Sequence, residues 1–279
     1  MIPLVDTHCH LLAGLDDGPR TAADALEMCR MAWEQGTRAV AATAHLAEQW
    51  PDVTPERIRA ATRRLASQLD EFGLPLAVYS SAEVMVRPDL EHAWQQDELL
   101  SVADRRTYLL IELPPGLFLD LRDMVRGLRE LGIRPILAHP ERHPELLGDA
   151  AMIEELVHLG CLVQISSDSI AENAGWEQTH VLKRWVRRGI VHLVGSDGHS
   201  PTDRPPSMAE AYWRIAQWAG PAAADRICST NGIAVLEGLP LEVPKPPPRR
   251  RRWFFRFDKA SGFRQAYYPQ PGRQPLVSG

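Results

Sequence analysis

A chain of 279 residues, 44% hydrophobic and 24% charged with a formal net charge of -5, is long enough to bury a substantial core, either as one α/β barrel or as two smaller domains. This balance is ordinary for a soluble enzyme and excludes a global polycation, so no nucleic-acid partner is expected. Four dispersed cysteines without a Cys-x-x-Cys pair exclude a disulfide framework and a structural zinc knuckle.

The N-terminus runs straight into an apolar strand, without a basic stretch followed by a long apolar one. No run approaches bilayer-spanning length, so the expected compartment is the cytoplasm. That first strand ends in His8-Cys9-His10. Residues i and i+2 of a strand face one side, so both imidazoles can meet one ion, while Cys9 points the other way and reads as core. A turn-rich loop, Gly14-Leu15-Asp16-Asp17-Gly18-Pro19, follows, and Thr21 caps a helix that reaches about Glu34. Residues 38–43 form a second strand that ends at His45. Thr54-Pro55 opens a helix over 56–72, with Gly73 as its stop. Strands at 76–79, 108–111, 134–138, 161–165 and 190–195 follow, with helices expected at 119–131, 150–159 and 177–188. Seven strands mostly joined by helices predict a parallel (βα)7 barrel.

The candidate ligands fall in one place in this pattern. His8 and His10, His45, Glu83, Glu112, His139, and Asp197 with His199 all stand at or just past the C-terminal ends of strands. In a closed parallel barrel these ends share one face, where catalytic groups gather. Strand six, ending at Ser166-Ser167-Asp168, is assigned no ligand. Taken singly, each residue reads as a solvated carboxylate or a hydrogen-bonded histidine; repeated in six units, they read as a metal site. Imidazole and carboxylate without thiolate suit divalent Mn, Fe, Zn or Mg. The number of donors implies two or three ions with bridging carboxylates, which would turn a bridging water into hydroxide for attack at phosphorus. Arg142 and Arg204 each follow a proposed ligand by a few residues and are read as a phosphate clamp. A cysteine-based tyrosine phosphatase is excluded, because it needs an arginine six residues after its nucleophile. Cys9, Cys29, Cys161 and Cys228 are followed there by Leu15, Gln35, Ser167 and Ala234.

The motifs Asp6-Thr7-His8-Cys9-His10, Asp16-Asp17-Gly18-Pro19, Ala44-His45, Ala82-Glu83-Val84, Ile111-Glu112-Leu113-Pro114, Ala138-His139-Pro140-Glu141-Arg142 and Ser196-Asp197-Gly198-His199 together resemble the polymerase and histidinol phosphatase (PHP) superfamily. Within it they are most similar to the capsule- and exopolysaccharide-biosynthesis protein-tyrosine-phosphatase branch of bacteria, over about residues 1–240. The resemblance implies a distorted seven-stranded barrel and three divalent ions, commonly manganese. It assigns His8, His10, Glu83 and Asp197 to one ion, and Glu83, Glu112 and His139 to a second. Asp17, His45 and His199 fall to the third, and Arg142 and Arg204 to phosphate. Asp17 enters only through this resemblance, since its spacing alone leaves it a turn former. The implied substrate is a phosphotyrosine protein, the tail of a membrane-bound tyrosine kinase. The alternatives are a histidinol-phosphate-type small-molecule phosphatase, a phosphodiesterase, or a non-catalytic adaptor.

Two departures bear on substrate preference and subunit contact rather than on the cluster. Thr43-Ala44-His45-Leu46 lacks the second histidine of the family's Thr-Pro-His-His, and the segment 166–172 lacks its Asn-Ala-Gly-Ser run. From 241 to 279 the composition changes to a proline-, arginine- and aromatic-rich tail, expected to be a flexible tether. Its stretch Arg249-Arg250-Arg251-Arg252-Trp253-Phe254-Phe255-Arg256-Phe257 could hold the chain at an anionic membrane or an acidic partner, each basic residue adding about 1 kcal/mol near acidic lipid.

Overall fold

A computed structural model describes residues 2–172 and 174–242; the tail expected from 241 lies, from 243 onward, outside the described residues. The strands are β1 (Leu4–His10), β2 (Thr37–Thr43), β3 (His45–Leu46), β4 (Ala77–Ser80), β5 (Glu83–Met85), β6 (Tyr108–Glu112), β7 (Arg134–Ala138), β8 (Leu162–Ser166) and β9 (Leu193–Gly195). The helices are α1 (Ala22–Glu34), α2 (Pro55–Glu71), α3 (Leu90–Gln95), α4 (Arg122–Glu130), α5 (Pro144–Gly148), α6 (Ala150–His158), α7 (Trp176–Arg187), α8 (Ala209–Ala219), α9 (Pro221–Asp225) and α10 (Asn231–Glu237). The capping signals act as read: Thr21 and Asp24 form a reciprocal capping box on α1, and the Thr54 hydroxyl accepts from Arg57 N at the start of α2.

All strand pairs are parallel. They form a three-stranded sheet in the order β1-β2-β4 and a six-stranded sheet in the order β3-β5-β6-β7-β8-β9. The two sheets are joined because β2 and β3, and likewise β4 and β5, lie on single chain paths interrupted for one or two residues. Ser81 N donates to Ala42 O and Glu83 N to Ala44 O across this break. The seven expected strands are therefore present, two of them in two pieces. The last is shorter than expected, beginning at Leu193 rather than at 190, although His192 N still donates to Val163 O (2.9 Å).

Between β9 and β1 there is no continuous ladder. One parallel bridge, Cys9 to Gly198, is flanked by backbone bonds from Asp197 N to His8 O (2.7 Å) and from His10 N to Gly198 O (2.9 Å). Buried side chains supply the rest: Thr7 Oγ1 donates to Val194 O (3.0 Å), and Asp6 Oδ1 accepts from Ser196 N (2.8 Å). Burial pushes the Asp6 carboxyl up to about 6, against the lowering effect of the Ser196 bonds. Gly195 permits this approach, because any Cβ there would overlap His8 Cβ. The result is a distorted parallel barrel, with every residue of β1, β6 and β8 buried, as strands covered on both faces must be.

His192, just before β9, shows how closely this end is packed. Its Nδ1 accepts from Val163 N (3.0 Å) while Nε2 is buried without a partner. Burial, followed by the field of Arg134, holds its pKa down to about 3. The unfolded chain then binds a proton that the folded chain refuses, so stability is lost as pH falls below about 6.5. Between pH 7 and pH 5 this group should cost about 2 kcal/mol. Denaturant unfolding of the native chain and of His192→Asn at both pH values should show a shallower pH slope in the variant.

Candidate metal centre

The strand ends converge on Glu83. It begins β5 and is 1% exposed. Its Oε2 lies 3.1 Å from His8 Nε2 and 3.3 Å from both His10 Nε2 and His45 Nδ1; its Oε1 lies 2.8 Å from His139 Nε2. Asp197, past β9, approaches from the other side, with Oδ1 3.5 Å from His8 Nε2 and 3.8 Å from His10 Nε2. Glu112, the last residue of β6, stands 3.0 Å from His45 Nδ1 and 3.9 Å from His139 Nε2. Asp17 Oδ1 lies 3.3 Å from both His45 Nε2 and His199 Nε2. All the histidines and carboxylates expected from the sequence thus meet at one mouth.

Three sets of donor atoms are close enough to hold one ion each: His8, His10, Glu83 and Asp197; His10, Asp17, His45 and His199; and His45, Glu83 and Glu112. The first set coincides with the grouping implied by the resemblance. The second adds His10 to the expected three. The third contains His45, with His139 beside it on Glu83 rather than within it. Two of the residues have left-handed backbones, His139 at φ 32° and Asp197 at φ 52°, a strain that typically collects at functional sites.

On His8, His10 and His199 the far ring nitrogen is held by a neighbour, which turns Nε2 inward. His8 Nδ1 donates to Gln164 Oε1 (2.9 Å), whose Nε2 donates to Thr7 Oγ1 (2.7 Å). His10 Nδ1 donates to Asp16 Oδ2 (2.8 Å), and His199 Nδ1 to Asp197 O (2.8 Å). Such partners fix the tautomer and orientation of ligating histidines. Neither Asp16 nor Gln164 is among the residues expected from sequence. Asp16 shares a turn-forming pair with Asp17 and also accepts from His45 N and Gly18 N. Gln164 is the one amide in β8, set between Val163 and Ile165, so strand six, assigned no ligand, contributes a positioning residue instead. Gln164→Leu should weaken metal affinity about 10–100-fold with the fold intact, measured by competition with a chelating indicator.

The electrostatics describe a site built around positive charge. Burial would raise the Glu83 carboxyl, but His8, His10 and His139 together draw it well below the usual range. Bonds to His199 and His45 lower Asp17 against its partial burial; for Asp197 desolvation is the largest single influence, but His8, Arg142 and His139 together draw its carboxyl below the usual range. Conversely, burial disfavours charge on His45 and His10, yet the surrounding carboxylates raise them to about 11 and about 9. His45 Nδ1 and Glu112 Oε1 lie 3.0 Å apart, buried, and without hydrogen-bond alignment; His139 Nδ1 also lacks a partner. Clustered carboxylates, imidazoles turned edge-on to them and misaligned buried donors fit divalent cations, which would replace the protons these histidines otherwise take up.

Arg142 Nη1 and Arg204 Nη2 both stop 2.5 Å from Asp197 Oδ2, and Asp168 lies 3.5 Å from Arg142. The two guanidiniums line a cavity of about 230 Å³ together with His143 and the ligand residues other than His8 and His10, which lie beneath it. His143, a further residue the sequence reading passes over, follows Arg142 directly. Burial and the neighbouring His139 lower its pKa, leaving a neutral ring at the mouth. The four thiols take no part: all are buried, and burial pushes Cys29 and Cys161 up to about 12.

Known proteins resemble this chain in sequence and fold. The family model for capsular polysaccharide synthesis, CpsB/CapC, matches residues 4–237. The tyrosine-protein phosphatase YwqE of Bacillus subtilis is 30% identical over 262 residues, covering 91% of this chain and all of the relative. The tyrosine-protein phosphatase CpsB of Streptococcus pneumoniae is 28% identical, covering 84% and 98%. A crystal structure from work on YwqE and CpsB, described as unique metal-dependent tyrosine phosphatases, superposes with a TM-score of 0.82 at 29% identity over 89% of this chain and all of the other. At 13–14% identity and a TM-score of 0.53, a β-aspartyl dipeptidase of Fervidobacterium islandicum and a 2-pyrone-4,6-dicarboxylic acid hydrolase of Acinetobacter baumannii share the fold alone. With its family model matched from β1 to α10, the chain belongs to the capsular polysaccharide synthesis CpsB/CapC family.

Proposed function

We propose that this chain is a metal-dependent phosphatase of protein phosphotyrosine, loaded with three divalent ions, manganese by preference. The observation that carries the reading is one cluster of donors: Asp17, His45, Glu83, Glu112, His139, Asp197 and His199 line a cavity with two arginines, and His8 and His10 share donor sets with them. Bound ions supply the acidity that ionises water near neutral pH and a Lewis-acid hold on phosphate oxygen. The protein's own groups do the remaining work. Glu83 and Asp197, drawn to their ionised forms, hold charge at the centre, and Gln164 and Asp16 keep His8 and His10 aimed inward. Arg142 and Arg204 converge on one carboxylate oxygen at the mouth, where an incoming phosphate can take over their N–H groups and gain bidentate, charge-assisted bonds.

The names of the relatives, tyrosine-protein phosphatases, and the capsule-synthesis family favour a phosphotyrosine protein, which we take to be the tail of a membrane-bound tyrosine kinase of that system. Among the described residues no helix is long and apolar enough to cross a membrane, and we place the enzyme in the cytoplasm. Metal analysis of the purified chain, with parallel assays on a phosphotyrosine peptide, histidinol phosphate and a dinucleotide, tests the reading. The peptide should be the best substrate, a chelator should abolish turnover, and added manganese should restore it. Chelator-resistant turnover by metal-free protein refutes the metal mechanism, and preference for either small ester replaces the substrate assignment.

A further inference from the structure

We infer that an apolar groove of about 590 Å³ on the outer side of the barrel rim binds the substrate polypeptide next to its phosphotyrosine, and selects an apolar side chain two or three residues away. The inference rests on the phosphotyrosine reading above. Leu46, Trp50, Val84, Val86, Pro114 and Leu117 line the groove. Its walls begin one residue from the metal centre: Leu46 follows His45, and Val84 follows Glu83. Successive strand residues face opposite sides, so the ligands point into the mouth while their neighbours point out into the groove.

The loop after β6 joins the two sites. Leu113, Pro115 and Gly116 line the metal cavity, whereas Pro114 and Leu117 line the groove. Leu117, at the crest, is 51% exposed. Leu46 and Val84 stand one Cα step, about 3.8 Å, from the ligands His45 and Glu83, and extended chain advances about 3.3 Å per residue. A chain anchored by its phosphate in the mouth therefore crosses the rim and reaches the groove within about three residues.

The chemistry of the lining narrows the occupant. Arg87 is its one basic residue, and it is committed to Asp89 (3.1 Å) and Glu98 (3.1 Å). Among the described residues the groove therefore offers an anion no free cation, while burial of an apolar side chain contributes in proportion to the area covered.

The test uses the full chain loaded with manganese. Phosphotyrosine peptides carrying one leucine at each position from three before to three after the phosphotyrosine, in a serine background, are compared with the all-serine peptide and with p-nitrophenyl phosphate. Leucine two or three residues away should raise kcat/KM about tenfold over the all-serine peptide, mainly through KM. In Leu117→Asp, a substitution at an exposed loop position, that ratio should fall to within about twofold of unity, with Leu117→Ala between. Equal turnover of all the peptides overturns the inference while leaving the phosphatase reading intact. A preference that survives in Leu117→Asp overturns it too, as does a dimer that dissociates in that variant without change in the peptide ratio, which would give the groove to a second copy. Hydrolysis of histidinol phosphate but of no phosphotyrosine peptide removes both readings.

Discussion

Glu83→Gln should lose phosphotyrosine turnover by about a hundredfold or more and release part of the bound metal, since even an outer partner of a ligating histidine is worth about 10–100-fold. Among the described residues, Glu83 is the only carboxylate that approaches His8, His10, His45 and His139 together. Its two oxygens divide between them, Oε1 toward His139 and Oε2 toward the other three. The amide keeps the volume but sets an N–H₂ group against imidazole nitrogens and removes the negative charge shared by two of the three donor sets. Elemental analysis and kcat on the same preparation check this, with circular dichroism for the fold. Full metal content together with full turnover would show that Glu83 is structural.

Arg142→Ala and Arg204→Ala should each lower kcat/KM by about 10²–10³-fold, the usual cost of removing one donor aimed at developing charge, while the metal content stays unchanged. The double variant should lose less than the product of the two. Both guanidiniums reach the same oxygen, Asp197 Oδ2, and groups acting on one centre are not additive. Lysine should rescue poorly, because an ammonium lacks the planar fork that grips two phosphate oxygens. Steady-state kinetics with elemental analysis separate this clamp from the ligands: loss of turnover with metal retained marks the arginines, and loss of both marks Glu83.

Much of this was legible because chemistry and periodicity coincide at strand ends. Tyr108–Glu112 and Arg134–Ala138 are short apolar runs that each stop at a polar residue, so their C-terminal ends, and hence Glu112 and His139, could be placed on one face. The splitting of β2 from β3 and of β4 from β5 was not legible, because Ala44 continues the apolar run of β2 and Ser80-Ser81 reads as the end of a strand rather than as a break within one. The later helices were obscured by Gly220-Pro221 and by a π-helical turn at Arg226–Thr230, which interrupts the helical period. Asp16 was hidden by its neighbour, since either aspartate of the pair suits a turn and only the tertiary structure shows which one turns to His10. Gln164 carried a signal, a lone amide within Leu162–Ser166, but its partner His8 lies 156 residues away.

The seam between β9 and β1 gives the ions a second consequence. Of all the strand junctions it has the least backbone pairing, one bridge between Cys9 and Gly198, and it brings together the two ends of the barrel chain. His8 and His10 stand on one lip, Asp197 and His199 on the other. A cation coordinated across that junction would act as a reversible cross-link closing a loop that spans nearly the whole domain. Closing a loop costs entropy that grows only with the logarithm of its length, so the long span of this loop adds little to what such a clasp must offset. Because it binds the closed form and not the open one, its contribution rises with free ion concentration. The supply of divalent metal would then set the lifetime of the ring as well as the activity of the site.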